Sequence, residues 1–167
     1  FASLHNNLPV KKGEAVAGTR VIPLVIDQKK LDEAKKLLDG HKIIEVKQMK
    51  SFNIGIVTTG SEVYYHRIED KFGPILRSKM EEYHCTVAGQ TFVPDNKEMI
   101  ERAIKEWLDK GVDMVFCTGG MSVDPDDLTP SAIRDTGCEI ITYGTPVLPG
   151  AMFLLSYYTD GRPVLGL

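Results

Sequence analysis

The sequence predicts an α/β fold: three layers, α/β/α, around a mostly parallel sheet, with a small N-terminal accessory segment. Three observations carry this. From Asn53 onward, short uninterrupted apolar runs alternate with stripes of helical period, the pattern of buried parallel strands and their crossover helices. Three of those runs end in turns rich in Thr, Ser, Gly and carboxylates. Residues 1–50 show no such alternation, and they read as an accessory module or the tail of a preceding domain, joined near Met49–Phe52 to a main domain over 51–167.

Within 1–50, Val10–Gly13 is a polar approach and Arg20–Ile26 a strand candidate, placed at an edge or bulge because Pro23 lacks a donor. Leu31, Ala34, Leu37 and Leu38 recur at helical spacing, with Asp27 as N-cap and Gly40 as stop. Lys42–Met49 reads as a short strand. In the main domain Asn53–Thr58 is the first strand. Ile68, Phe72, Ile75, Leu76, Met80 and Tyr83 make one helical face, with Pro74 near its start or at a kink. Thr86–Val93 is the second strand, and Met99, Ile100, Ala103, Ile104, Trp107 and Leu108 form a helical stripe closed by Gly111. Val112–Cys117 is the third strand. A short helix follows over Thr129–Thr136, then strands over Glu139–Thr142 and Ala151–Tyr157, the latter pairing with Pro163–Leu167 around an Asp160-Gly161 turn.

At 167 residues, 43% hydrophobic and 26% charged, the chain suits one full domain with a small appendage. A net charge of −3 gives no support for nucleic acid or an anionic membrane as partner. No apolar stretch is long enough for a membrane span and no signal-peptide pattern is present. Cys85, Cys117 and Cys138 are odd in number and sit in or beside apolar segments, which fits reduced structural thiols and a cytoplasmic location. The start at Phe1 and the strand-like end at Gly166-Leu167 read as a C-terminally truncated fragment of a longer protein. Hydrolytic triads, the Walker phosphate loop and the spaced-glycine dinucleotide fingerprint are absent, and the four histidines lack ligand spacing.

The chemistry concentrates in three loops that a parallel sheet would bring to one edge. The loop after the third strand runs Thr118-Gly119-Gly120-Met121-Ser122-Val123-Asp124-Pro125-Asp126-Asp127-Leu128-Thr129-Pro130. Its glycines allow close backbone approach to a ligand. Thr129 is suited to cap the following helix and Pro130 to its first turn. A phosphate could use the amides of a helix N-terminus, but three carboxylates would repel it. They imply a bridging Mg²⁺, for which Asp126 and Asp127 are the ligand candidates, or the N–H-rich edge of a ligand. Asp127 is also a candidate general base, and Asp124 could simply shape the turn. After the first strand, Thr59, Gly60, Ser61 and Glu62 either hold ligand oxygens or form an ordinary turn with Ser61 as N-cap. After the second, Asp95 either faces the ligand or forms a capping box with Glu98. Gly144–Gly150, with Pro149 and Gly150, either floors the pocket or merely connects strands. Together these describe a site for a small phosphorylated molecule that also carries a polar ring.

The motifs resemble the molybdopterin-binding domain family, which includes molybdopterin adenylyltransferases, molybdopterin molybdotransferases and competence-damage-inducible proteins. The resemblance covers roughly Phe52–Leu167. The adenylyltransferase pattern Thr-Gly-Gly-Thr-Gly, then Arg-Asp-x-Thr-Pro-Glu-Ala, corresponds to Thr118–Ser122 and Asp126–Ala132, with Asp126 in place of the Arg. The molybdotransferase pattern Gly-Gly-x-Ser-x-Gly matches Gly119–Val123 more closely, with Asp124 in place of its last glycine. Thr59-Gly60-x-Glu62, Pro149-Gly150 and Val164–Leu167 also resemble that branch. The resemblance implies binding of molybdopterin or its adenylylated form in molybdenum cofactor biosynthesis. It implies Mg²⁺, molybdate as a co-substrate, Asp95 and Asp127 at the functional acidic positions, and a homo-oligomer, dimer or trimer. The implied chemistry is AMP transfer to molybdopterin or molybdate insertion with AMP release, the latter fitting the closer branch. Two alternatives are a non-catalytic cofactor-binding or sensing module and a competence-damage-type nucleotide pyrophosphatase.

Overall fold

A computed structural model describes residues 1–122 and 124–167. The chain divides into two compact units, Phe1–Lys47 and Gln48–Leu167.

In the first unit, β1 (Ala2–Ser3) pairs antiparallel with β2 (Ala17–Gly18). Neither strand was legible in the sequence, since two residues carry no periodicity. The helix expected from the Leu31 stripe forms as α1 (Gln28–Leu38), and Asp27 caps it by accepting from Lys29 N at 2.8 Å. Arg20–Ile26 and Lys42–Met49 are not strands. Both segments are exposed throughout, and an apolar run without a pairing partner has nothing to make it a strand. No α1 residue is buried either.

The second unit holds a six-stranded sheet in the order β4-β3-β5-β8-β7-β6. Its strands are β3 (Asn53–Thr59), β4 (Thr86–Val93), β5 (Met114–Thr118), β6 (Glu139–Tyr143), β7 (Leu154–Tyr157) and β8 (Pro163–Gly166). Its helices are α2 (Ser61–Tyr64), α3 (Phe72–Glu82), α4 (Lys97–Asp109) and α5 (Thr129–Asp135). The β4-β3, β3-β5 and β5-β8 pairings are parallel, while β7 runs antiparallel to both β8 and β6. The hairpin expected at Asp160-Gly161 joins β7 to β8, and Arg162 fastens it by donating to the carbonyls of Leu108 at 2.6 Å and Val112 at 3.0 Å.

Adjacent residues of a strand point to opposite faces. Gly89 faces the Trp107 ring of α4, whereas Gln90 accepts from Arg77 of α3 at 3.3 Å. Helices α3 and α4 therefore cover opposite faces, completing the three layers. The core lies mainly on the α4 side, where Val57, Val115, Cys117, Leu154 and Val164 meet Ile100, Ile104, Trp107 and Ile133. Each such fully buried side chain contributes about 1.5–3 kcal/mol. The same burial pushes the Cys117 thiol up, leaving it an inert packing residue. Helix α3 opens at Phe72, so Ile68 lies outside it. Asp70 accepts from the amides of Phe72 and Gly73, both at 3.0 Å, and thereby fixes that start.

Candidate functional site

Because β3, β4, β5 and β8 are parallel, their carboxyl ends share one edge of the sheet. Two reversals through β7 return β6 to the same direction, so Tyr143 at its end reaches that edge as well.

The three loops expected to converge there do so through hydrogen bonds between them. Asp95 and Ser61 make a reciprocal pair: Ser61 N donates to Asp95 Oδ2 at 2.8 Å, and Asp95 N donates to Ser61 Oγ at 3.2 Å. The helix-capping reading of Asp95 does not hold, because the cap of α4 is Asn96, accepting from Met99 N at 2.9 Å. Ser61 is likewise the first residue of α2 rather than its cap, which is Gly60. Thr59 Oγ1 lies 3.2 Å from the Thr118 carbonyl and 3.0 Å from Thr129 Oγ1. Thr129 does not cap α5 either: it is that helix's first residue, fully buried, and donates to the Gly119 carbonyl at 2.9 Å. Pro130 follows in the first turn, as expected.

This arrangement fixes the Gly119–Ser122 backbone from behind. Gly119 has φ +87°, and a Cβ there would collide with the Thr59 carbonyl, so only glycine fits. The Gly119 carbonyl accepts from Thr129 Oγ1, and that of Gly120 from Thr129 N at 3.3 Å. The carbonyls of Met121 and Ser122 accept from Tyr143 Oη at 2.8 and 3.0 Å. Partial burial, with the nearby Asp127 carboxylate adding to it, raises the Tyr143 hydroxyl above its ordinary value and keeps it a donor. Four consecutive carbonyls are thus tied to the protein. The N–H groups of the same four residues have no acceptor among the described residues. Backbone amides without a partner are donors open to an anion.

A cavity of about 760 Å³ opens beside this backbone, lined by Thr58–Val63, Ile68–Phe72, Asp95, Thr118 and Gly119. Thr59, Gly60, Ser61, Glu62, Asp95, Thr118 and Gly119 of the expected site are therefore together on its wall. Thr58 accepts from Gln90 Nε2 at 2.8 Å and from Thr118 Oγ1 at 3.1 Å, which leaves its own proton for a ligand. Gln90 also donates to Asp70 Oδ2 at 2.6 Å. Glu62, Asp70 and Asp95 give the wall acceptors, and Val63, Ile68 and Phe72 give it apolar surface.

Gly120, Met121, Ser122 and Thr129 stand in the adjoining loop. Met121 is buried, packed against Gly166. Asp124 and Asp127 close their own turn: Asp127 N donates to the Asp124 carbonyl at 3.0 Å, and Asp124 N to Asp127 Oδ2 at 3.3 Å. Among the described residues no group of three His, Cys, Asp or Glu side chains is arranged to hold a metal ion, so Asp126 and Asp127 make no ion cage by themselves. Pro149 and Gly150 are exposed and do not line the cavity. Val123 lies outside the described residues. Sequence reasoning missed Asp70, Gln90 and Tyr143. A polar Gln90 on a strand and an Asp two residues before a helix start were local signals for the first two. Tyr143 had none, since its partners are 21 and 22 residues away.

Residues 55–162 match the family described as a probable molybdopterin binding domain. The chain belongs to that family. Over 82 residues it is 32% identical to the molybdenum cofactor biosynthesis bifunctional protein of Synechococcus elongatus, covering 49% of this chain and 26% of that protein. Over 92 residues it is 33% identical to a CinA-like protein of Mycobacterium avium, covering 54% and 21%. The chain thus spans about a quarter of the length of these relatives. Its fold is that of the molybdopterin biosynthesis enzyme MoaB from Thermus thermophilus, with a TM-score of 0.59 at 23% identity over 70% of this chain and 80% of that one. The tungsten cofactor synthesizing protein MoaB from Pyrococcus furiosus gives 0.60 at 21% identity over 71% and 82%. Membership places the chain among molybdenum cofactor biosynthesis domains. No helix among the described residues is long and apolar enough to cross a membrane.

Proposed function

We propose that this domain binds molybdopterin, or its adenylylated form, with the phosphate on the Gly119–Ser122 amides and the pterin ring in the adjoining cavity. The observation that carries the reading is the backbone in which four carbonyls are tied and four N–H groups have no acceptor among the described residues. An anion matches the free amides. A ring rich in N–H donors matches Glu62, Asp70 and Asp95, and its flat faces match Val63, Ile68 and Phe72. Asp126 and Asp127 would hold Mg²⁺ in this reading, and the ion would supply charge neutralisation for the ligand's phosphate.

The engagement of Asp95 with Ser61, and of Asp127 with Asp124, favours binding over chemistry in this domain. Both carboxylates spend an oxygen on holding loops. Molybdate insertion with AMP release would then need groups beyond these.

Calorimetric titration of molybdopterin into the chain, with and without Mg²⁺, tests the reading. Micromolar or tighter affinity that strengthens with Mg²⁺ is the expected result. Absence of binding in both conditions overturns it.

A further inference from the structure

We propose that Tyr143 is a positioning residue that sets the direction of the anion-binding amides in the Gly-Gly loop. The inference deepens the reading above, since it concerns the same backbone, but it rests on the loop's own geometry.

The Tyr143 hydroxyl has one proton and lies 2.8 Å from the Met121 carbonyl and 3.0 Å from the Ser122 carbonyl. It therefore holds both oxygens on its own side of the loop. A planar trans peptide points its C=O and N–H in opposite directions. Fixing the Met121 carbonyl toward Tyr143 consequently aims the Ser122 N–H away from Tyr143. The same logic applies one residue earlier, where Thr129 N holds the Gly120 carbonyl and so aims the Met121 N–H. Thr129 governs the first half of the loop from α5, and Tyr143 governs the second half from β6. Without the phenol, the Met121 and Ser122 carbonyls lose their described side-chain donor. The peptide between them is then free to rotate and turn an oxygen toward an incoming anion, a repulsive arrangement. The ring itself is half-exposed at the edge, so removing its hydroxyl alone leaves packing in place.

Tyr143→Phe and the unaltered chain are compared by amide NMR at Gly120 and Ser122 during titration with inorganic phosphate, with the melting midpoint as a check on folding. The expected result is phosphate affinity weaker by roughly fivefold, about 1 kcal/mol for one lost hydrogen-bond donor, at an unchanged midpoint. Parallel titrations with molybdopterin and with its dephosphorylated form should show the loss only for the phosphorylated ligand. A merely structural role would weaken both forms equally. Equal phosphate affinity in the two chains, an equal loss for both pterin forms, or no amide response to phosphate in the unaltered chain each overturns the inference. Should Tyr143→Phe fail to fold, 4-fluorophenylalanine at position 143, neutral and without a proton to donate, removes the donor while keeping the ring and a small atom in the hydroxyl's place. Failure of molybdopterin to bind, alongside a Tyr143-dependent phosphate response, would sink the pterin reading and leave the positioning role standing.

Discussion

Thr129 does more for this site than any acidic residue the motif advertises. Its hydroxyl bonds to the Gly119 carbonyl and sits beside Thr59 Oγ1, and its amide holds the Gly120 carbonyl. Because it is fully buried, loss of the hydroxyl strands two polar partners away from water. Thr129→Val, which keeps shape and removes only the oxygen, should lower unfolding free energy by about 1–3 kcal/mol in denaturant melts and weaken phosphate binding in step. Sequence reading picked Thr129 out as part of the site but gave it the wrong task. A Thr before Pro has a local use as a cap, and nothing local announces a partner 70 residues earlier. Asp95 repeats the lesson: the neighbouring Asn96 took the cap, which freed Asp95 to bind a turn 34 residues away. Residue types in the loops were legible, and their partners across the sheet edge were not.

The strands of the second unit and helix α4 followed their apolar period closely, because that period records burial against the sheet; the α3 stripe did not, for its Phe72, Ile75 and neighbouring Tyr83 are exposed. The segments that failed as strands, Arg20–Ile26 and Lys42–Met49, are exposed and unpaired in the first unit; apolar character alone cannot supply a hydrogen-bonding neighbour. The packing of α4 on the sheet depends on a feature that periodicity does not reveal. Trp107 lies flat over Gly55 and Gly89 of neighbouring strands, in register with each other, and a Cβ at Gly55 would sit 2.6 Å from the ring. The indole N–H has no acceptor among the described residues, so packing and the Lys110 ammonium 4.2 Å from the ring centre hold it. Gly55→Ala should therefore push the ring outward and cost about 1–3 kcal/mol of stability. Tryptophan fluorescence should shift toward the red as the ring gains water; an unchanged spectrum and midpoint would refute this.

Every buried apolar side chain among the described residues lies between Ile54 and Val164. We propose on that basis that residues 48–167 form an independent domain. A chain of those residues alone should melt within a few degrees of the longer one and bind phosphate equally well. Loss of cooperative melting would show instead that the first unit is needed for the fold. The fold class was readable because alternating strands and helices leave few topologies. Of the reversal through β7, the turn into β8 was readable at Asp160-Gly161, while the antiparallel pairing of β7 with β6 was not, since no tight turn marks it. That reversal governs the order in which the site can be assembled. Strands β4, β3 and β5 form one block, strands β7 and β6 another, and β8, the latest of the six in sequence, is the only strand hydrogen-bonded to both. The Gly-Gly loop belongs to the first block and Tyr143 to the second. A chain emerging from the ribosome therefore presents its Gly-Gly loop first, and the Met121 and Ser122 carbonyls meet Tyr143 only when β8 closes the sheet.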